Sequence, residues 1–235
     1  MATEHLVEMK INFEKWDQII RKGIAPFDVI LNEQQIQLFY RHAELLLQWN
    51  RKTNLTTITD PKEIAIKHFI DSLGPMPFLN PMQHVLDVGS GGGFPGLPLK
   101  VVCPSIELTL LDAVRKKTSF IQHVIRTLKL KGAQAIHGRV EDLSLAEKHM
   151  AFDTIVCRAF SDLSFILTNA WPLLSPEGKI AVWKGRMPEK EIADIRKLSR
   201  KEPFILDMKV HTYRLPIFDA ERTLIIITKK SSLTK

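Results

Sequence analysis

The sequence predicts an α/β protein in which a mainly parallel, doubly wound sheet is closed by an antiparallel C-terminal pair and preceded by a helical flank. Three observations carry this. From residue 84 onward short apolar runs alternate with helix-forming stretches, which requires parallel strands joined by crossover helices. The run Val85-Leu86-Asp87-Val88 breaks into Gly89-Ser90-Gly91-Gly92-Gly93-Phe94-Pro95-Gly96, as a strand does when it ends in a ligand-binding turn. Residues 1–80 carry helical periodicity instead.

Asn32 is placed to cap a helix whose apolar stripe is Ile36, Phe39, Tyr40, Ala43, Leu46 and Leu47. Asp60-Pro61 opens another, which ends before Pro75 and Pro77. The helix ahead of these, to about Gly23, reads as an extension with no assigned role. Strands are expected near 84–88, 106–111, 134–137, 152–157 and 179–184, with helices near 95–102, 115–130 and 162–174 between them. After a helix near 189–200, segments around 204–212 and 222–229 supply the antiparallel edge. The expected division is a helical region over 1–80 packed on a catalytic domain over 81–235.

The glycine turn is the most informative stretch. Gly89, Gly91 and Gly93 permit backbone angles that other residues avoid, Pro95 suits the first turn of a helix, and the turn is expected to aim free N–H groups at a ligand. As Gly91-x-Gly93-x-x-Gly96 it satisfies a dinucleotide fingerprint, but its first glycine lies four residues past Asp87, so the fit is loose. As Asp87-x-Gly89-x-Gly91-x-Gly93 it resembles motif I of the Rossmann-like, S-adenosylmethionine-dependent methyltransferases. That resemblance implies that the turn, with Ser90 and Phe94, carries the methionine and ribose half of S-adenosyl-L-methionine, and that Asp87 helps hold its amino group. The next strand ends at Asp112, 23 residues after Gly89, where a carboxylate can accept ribose hydroxyls from either cofactor. Gly138-Arg139-Val140-Glu141-Asp142 closes the third strand. By the same resemblance Val140 packs on adenine and Glu141 meets its polar edge, whereas the residues alone equally suit an acid at a helix N-terminus.

With 235 residues, 45% of them hydrophobic, one catalytic domain with an appendage has ample core. Cys103 and Cys157 are the two cysteines, too few for a secreted disulfide framework, and a cytoplasmic enzyme is expected. No signal peptide, membrane span or metal-ligand spacing is indicated, and a monomer is expected. Residues 1–178 hold 19 Lys+Arg against 19 Asp+Glu, and residues 179–235 hold 14 against 7. The net charge of +7 therefore sits in the last quarter, which points to a polyanion. Arg115-Lys116-Lys117 form a second basic group at a helix start, where they oppose the dipole unless something negative meets them. For any single lysine there, a solvated face is the simpler reading.

Asn54-Leu55-Thr56, His68-x-x-Asp71-Ser72, Asp87 to Gly96, Leu110-Leu111-Asp112, Arg139-Val140-Glu141, Arg158-Ala159-Phe160, Lys184-Gly185-x-x-Pro188-Glu189 and Glu221-Arg222 resemble, in order and spacing, the RsmG (GidB) family. The resemblance covers most of residues 30–230. It implies methylation of N7 of one guanine in a loop of bacterial 16S ribosomal RNA, naked or within the small ribosomal subunit. It places Arg158, Lys184 and Phe160 at the chemistry, and Arg115, Lys116, Lys117, Lys184, Arg186 and Arg222 on the RNA; His68, Asp71 and Asn54 would roof the pocket. The residues agree with N7 by omission. Cys157-Arg158-Ala159-Phe160 stands where exocyclic-amine methyltransferases carry Asn/Asp-Pro-Pro-Tyr/Phe, and Cys157 reads as a small buried strand residue rather than a nucleophile. N7 is an unprotonated acceptor, so it needs placement rather than a base. The target guanine must be unpaired or extruded, with Phe94 and Phe160 as candidate stacking rings and Arg158 as a donor to guanine O6 or a cofactor carboxylate. A methyltransferase for another RNA or a small molecule, a nicotinamide oxidoreductase and a non-catalytic RNA-binding protein remain the alternatives.

Overall fold

The computed structural model describes residues 11–79, 82–146, 151–158, 162–198 and 206–229. Helix α1 (Phe13–Ile24) starts at Asn12, whose side chain accepts the Lys15 N–H, and a 3-10 turn at Ala25–Phe27 separates it from α2 (Glu33–Thr53). At the start of α2 a capping box closes: Asn32 Oδ1 accepts the Gln35 N–H and Gln35 Oε1 accepts the Asn32 N–H, both at 2.9 Å. Asn32→Ala removes one arm of the box and is expected to lower the unfolding free energy by about 1 kcal/mol, read as a lower urea midpoint at unchanged slope. Asp60 caps α3 (Pro61–Ile64), which runs through a π-helical stretch at Ala65–Ile70 into α4 (Asp71–Leu73), followed by α5 (Met76–Leu79).

The sheet region then alternates: β1 (His84–Val88), α6 (Gly96–Val102), β2 (Glu107–Asp112), α7 (Arg115–Thr127), β3 (Ala133–His137), α8 (Val140–Ala146) and β4 (Phe152–Arg158). It continues through α9 (Leu163–Ala170), β5 (Leu174–Lys184), α10 (Glu189–Leu198), β6 (Leu206–Leu215) and β7 (Ala220–Lys229). The strand order is β3-β2-β1-β4-β5-β7-β6. Strands β1 to β5 pair in parallel, and β7 runs antiparallel between β5 and β6.

Successive strand residues serve opposite faces of this sheet, so both faces need a cover. On one, Val85, Leu108, Leu110, Val156 and Ile226 join a core with residues of α1, α2, α6 and α7. On the other, Leu86, Leu111, Ile155, Val182 and Ile225 pack with residues of α8, α9 and α10. Helix α1 is part of that first core rather than a loose extension. Trp16 and Ile20 are fully buried, and a Cβ added at Gly23 would stand 2.1 Å from Ile70 Cδ1, so helix and flank touch closely there.

Two further elements differ from the sequence expectation. Helix α8 occupies 140–146, where the strand-and-helix alternation placed no element although Glu141 suited a helix N-terminus; Glu141 and Asp142 in its first turn complement the dipole of a piece too short to show periodicity. Helix α9 ends at Ala170, because Pro172 lacks the N–H to continue it and a 3-10 turn (Trp171–Leu173) follows, and β5 begins at Leu174 instead of 179. Among the described residues no helix is long and apolar enough to cross a membrane.

Candidate functional site

β1 delivers Asp87 and the glycine turn to the carboxyl edge of the sheet where strand order reverses between β1 and β4, the place where open α/β sheets bind ligands. Gly89, Gly91 and Gly93 adopt φ of 72°, 57° and 88°. At Gly93 packing also demands glycine, since a Cβ would lie 2.3 Å from Leu97 Cδ1, whereas at Gly91 nothing comes nearer than Gly89 O at 3.9 Å. The expectation of free amides is corrected by the hydrogen bonds. Gly89 and Ser90 N–H donate to Leu111 O at 2.8 and 3.1 Å, Gly93 and Phe94 N–H to Ser90 O at 2.8 and 2.9 Å, and Gly91 N–H to Asp112 Oδ2 at 2.8 Å. A turn folded this tightly against the next strand satisfies five of its six donors; among the described residues of the turn only the Gly92 N–H, in the lining of the first cavity, keeps no acceptor, and at Gly91 the turn offers a ligand bare backbone.

Asp87 is fully buried and is not among the residues lining the cavity over the turn. Its Oδ2 accepts the Gly96 N–H at 2.8 Å, while Oδ1 has no hydrogen-bond partner. Burial raises its carboxyl to about 7, against the opposing pull of the Gly96 N–H and of the Arg158 charge. Asp112, at the end of β2, is braced at both oxygens, accepting Gly91 N–H and Val114 N–H at 2.8 Å each. Each oxygen keeps acceptor capacity beyond that one bond.

Two cavities meet at Asp112. The larger, about 360 Å³, is lined by Ser90, Gly91, Phe94, Lys117 and Arg158 among others; the smaller, about 130 Å³, by Leu111, Val140, Glu141 and Phe165. Gly89, Asp112 and Ala113 line both. Glu141 stands on the first turn of α8, 3.7 Å from Arg139. Phe165 was not singled out from the sequence, although a signal exists: the buried stripe of α9 is Leu163, Ile166, Leu167 and Ala170, and a large aromatic off that stripe is 37% exposed.

A third cavity of about 400 Å³ shares His68 and Arg158 with the first and is lined also by Lys67, Trp183, Lys184 and Arg222. Its organiser is Asp71, whose side chain is 7% exposed. It accepts from Tyr213 Oη at 2.9 Å, Arg222 Nε at 3.2 Å and Arg158 Nη1 at 3.5 Å, and its carbonyl accepts Trp183 Nε1–H at 3.0 Å. Burial and the Asp71 charge push the Tyr213 hydroxyl far up, so it stays a donor. Lys184 pairs with Glu191 at 2.9 Å, and Arg186 is exposed just beyond β5. Lys67, which lies beside the His68-x-x-Asp71 pattern, was missed in the sequence.

Arg158 stands where the first and third cavities join. Its Nη1 donates to the carbonyls of Lys67 and His68 at 2.9 and 3.3 Å in the π-helical stretch, a distortion that frequently marks functional sites. Its Nη2 donates to His68 Nδ1 at 3.2 Å, which leaves His68 Nε2–H to donate to Thr56 Oγ1 at 3.1 Å. Burial, then the Arg158 charge, holds His68 down to about 3, so the ring is neutral and fixed in that tautomer. Phe94 is 5% exposed and stacks on His42 and His68 with centroids at 4.8 and 4.6 Å, so protein imidazoles already occupy it. Phe160 lies outside the described residues. Asn54, expected in the roof, is instead the left-handed cap of α2 at φ 49°, and its neighbours Leu55 and Thr56 line the first cavity. Arg115 and Lys116 are exposed at the start of α7, and Lys117 reaches the first cavity. Among the described residues no group of His, Cys, Asp or Glu could hold a metal ion.

The sheet order with its antiparallel β7, and the glycine turn at the switch point, define the Rossmann-like fold of S-adenosylmethionine-dependent methyltransferases. Solved structures agree on that fold. A precorrin-6y C5,15-methyltransferase from Geobacter metallireducens superposes with TM-score 0.52 at 12% identity, covering 74% of this chain and 90% of its own. A methyltransferase from Agrobacterium tumefaciens does so with TM-score 0.51 at 12% identity, covering 69% of this chain and 63% of its own. A model of the GidB family, rRNA small subunit methyltransferase G, matches residues 35–215, and the chain belongs to that family. Relatives named ribosomal RNA small subunit methyltransferase G include one from Geobacter sulfurreducens, 42% identical over 89% of this chain and 96% of the relative. Another, from Lactococcus lactis, is 35% identical over 91% of this chain and 90% of the relative.

Proposed function

We propose that this protein transfers a methyl group from S-adenosyl-L-methionine to N7 of one guanine in bacterial 16S ribosomal RNA. One observation supports this reading above the others: two cavities that meet at a braced carboxylate, Asp112, open through Arg158 onto a third that is lined by Lys67, Lys184 and Arg222. A nucleoside cofactor fits the first two. Asp112 would accept the ribose hydroxyls, Val140 and Phe165 would face adenine with Glu141 at its polar edge, and the turn from Gly89 to Gly93 would lie against the methionine half. Asp87, buried and absent from the lining of the first cavity, braces the turn through the Gly96 N–H, and its unpartnered Oδ1 would act on a cationic group above the turn without direct contact. S-adenosylmethionine supplies an electrophilic methyl group when bound.

The protein's own part is placement and electrostatics. Arg158 donates to O6 of the extruded guanine, which orients N7 toward the methyl group while the third cavity's cations hold the flanking phosphates. No side chain removes a proton, because N7 reacts through a free lone pair. His68 stays neutral and fixes Arg158. The described helices of residues 11–79 roof the site on the catalytic domain that begins with β1.

The test is transfer of labelled methyl groups to 16S RNA and to assembled small subunits, followed by mapping of the modified base. Label at one guanine N7 supports the reading; label on a small molecule, on another RNA, or at an exocyclic nitrogen overturns it. Reversing charge at Arg115, Lys116 and Lys117 together is expected to raise KM for RNA. It should also flatten the salt dependence by about 0.7 in log–log slope for each phosphate that is no longer neutralised. An unchanged slope would make these residues a solvated face.

A further inference from the structure

The turn between β6 and β7 carries chemistry that the fold does not use. The hairpin closes at Leu215 opposite Ala220, and residues 216–219 form its tip. Turn tips favour Gly, Asn, Asp and Ser, yet this one presents Ile217 and Phe218, each 40% exposed. Ile217 has φ of 75°, where a β-branched residue is strained, and Asp219 has φ of 50°. The strained tip is braced. Arg214 grips both carboxylate oxygens of Asp219, and its Nη2 also donates to the Asp219 carbonyl at 2.7 Å. The Phe218 ring stands next to Lys67, which lines the third cavity, with Lys67 Nζ 5.2 Å from its centroid. An exposed ring at the rim of a cavity lined by Lys67, Arg158, Lys184 and Arg222 matches single-stranded nucleic acid, which combines stackable bases with phosphates.

We propose that Phe218 is a second stacking site for the RNA: its ring takes an unpaired nucleobase flanking the target guanine, while the cations of the third cavity hold the phosphates between the two. The inference rests on the reading that RNA enters through that cavity. It also supplies what Phe94 does not, because Phe94 is already stacked by His42 and His68.

The experiment is steady-state methyl transfer to a 16S RNA fragment containing the methylated loop, with wild type, Phe218→Ala, Phe218→Leu and Phe218→Trp. Loss of one base stack is expected to raise KM for RNA by about 5- to 150-fold in the Ala and Leu variants at unchanged kcat, and tryptophan should restore it. Unchanged affinity for S-adenosylmethionine shows that each variant is folded. Fragments with a single abasic nucleotide beside the target locate the partner. At one position the abasic RNA should raise the wild-type KM by the same factor and add nothing to Phe218→Ala. Wild-type behaviour of the Leu variant, or additivity at every abasic position, overturns the proposal. A wild-type protein that methylates no RNA overturns the reading beneath it, and this proposal with it.

Discussion

Replacing Arg158 with methionine is expected to slow methyl transfer by about 10²- to 10³-fold at saturating cofactor and RNA, the usual effect of removing one preorganised donor. The guanidinium is held from behind by the Lys67 and His68 carbonyls and by His68 Nδ1, so it reaches the junction of the first and third cavities in a fixed orientation. Methionine keeps much of the volume and removes every donor. The fold should survive, because Asp71 keeps Tyr213 and Arg222 as partners; the orphaned acceptors cost about 1–3 kcal/mol. Single-turnover rates check the first expectation and urea unfolding the second. A variant that binds S-adenosylmethionine far more weakly, yet transfers at the wild-type rate once saturated, would make Arg158 a cofactor clamp and remove it from the guanine. NMR titration gives an independent readout: the Arg158 charge helps hold His68 down, so the His68 pKa should rise in Arg158→Met.

The parallel strands and the glycine turn were legible because their signals are local. An apolar run, an acid and a break into glycines need no knowledge of the rest of the chain. Asp112 was legible for the same reason, since a carboxylate ending the next strand falls beside that turn whatever covers the sheet. The third cavity was legible only through the family resemblance, which named Arg158, Lys184, Arg222, His68 and Asp71 but not Lys67. It is assembled from Lys67 in the flank, Arg158 after β4, Lys184 after β5 and Arg222 in β7, around a carboxylate, Asp71, whose partners lie 87, 142 and 151 residues away. Nothing in local spacing announces such a meeting. The glycine turn also misled in part, for its pattern is the same whether its amides face a ligand or the neighbouring strand, and here the amides of Gly89, Ser90, Gly91, Gly93 and Phe94 bond to Leu111, Asp112 and Ser90 while that of Gly92 does not. Helix α1 was read as an extension because its residues fall outside the family pattern, yet Trp16 and Ile20 are buried against the flank that carries His68 and Asp71.

Acidification is expected to destabilise the protein by about 2–3 kcal/mol between pH 7 and pH 4, and three buried groups set both the sign and the size. Burial holds His42 down to about 4, although its bond to the Gly92 carbonyl pulls upward, and burial with the Arg158 charge holds His68 down to about 3. An unfolded chain protonates both near 6.5. Their contribution to stability is therefore complete above pH 6.5 and lost as the pH falls toward 4 and 3. Asp87 acts in the opposite sense. With its carboxyl raised to about 7, the folded protein keeps a proton that the unfolded chain releases near 3.8, so this contribution is complete at low pH and lost as the pH rises through 7. Between about pH 4 and 6 the unfolded chain carries two extra histidine protons and the folded protein one extra aspartate proton, which leaves a net slope of roughly 1 kcal/mol per pH unit. Urea midpoints at pH 7, 5.5 and 4 measure the slope. Replacing His42 and His68 together with glutamine should reverse it, because Asp87 then outweighs His211, the remaining histidine that burial holds low, and acid becomes stabilising. Unchanged acid lability in that double variant would mean that the histidines are not the groups being protonated.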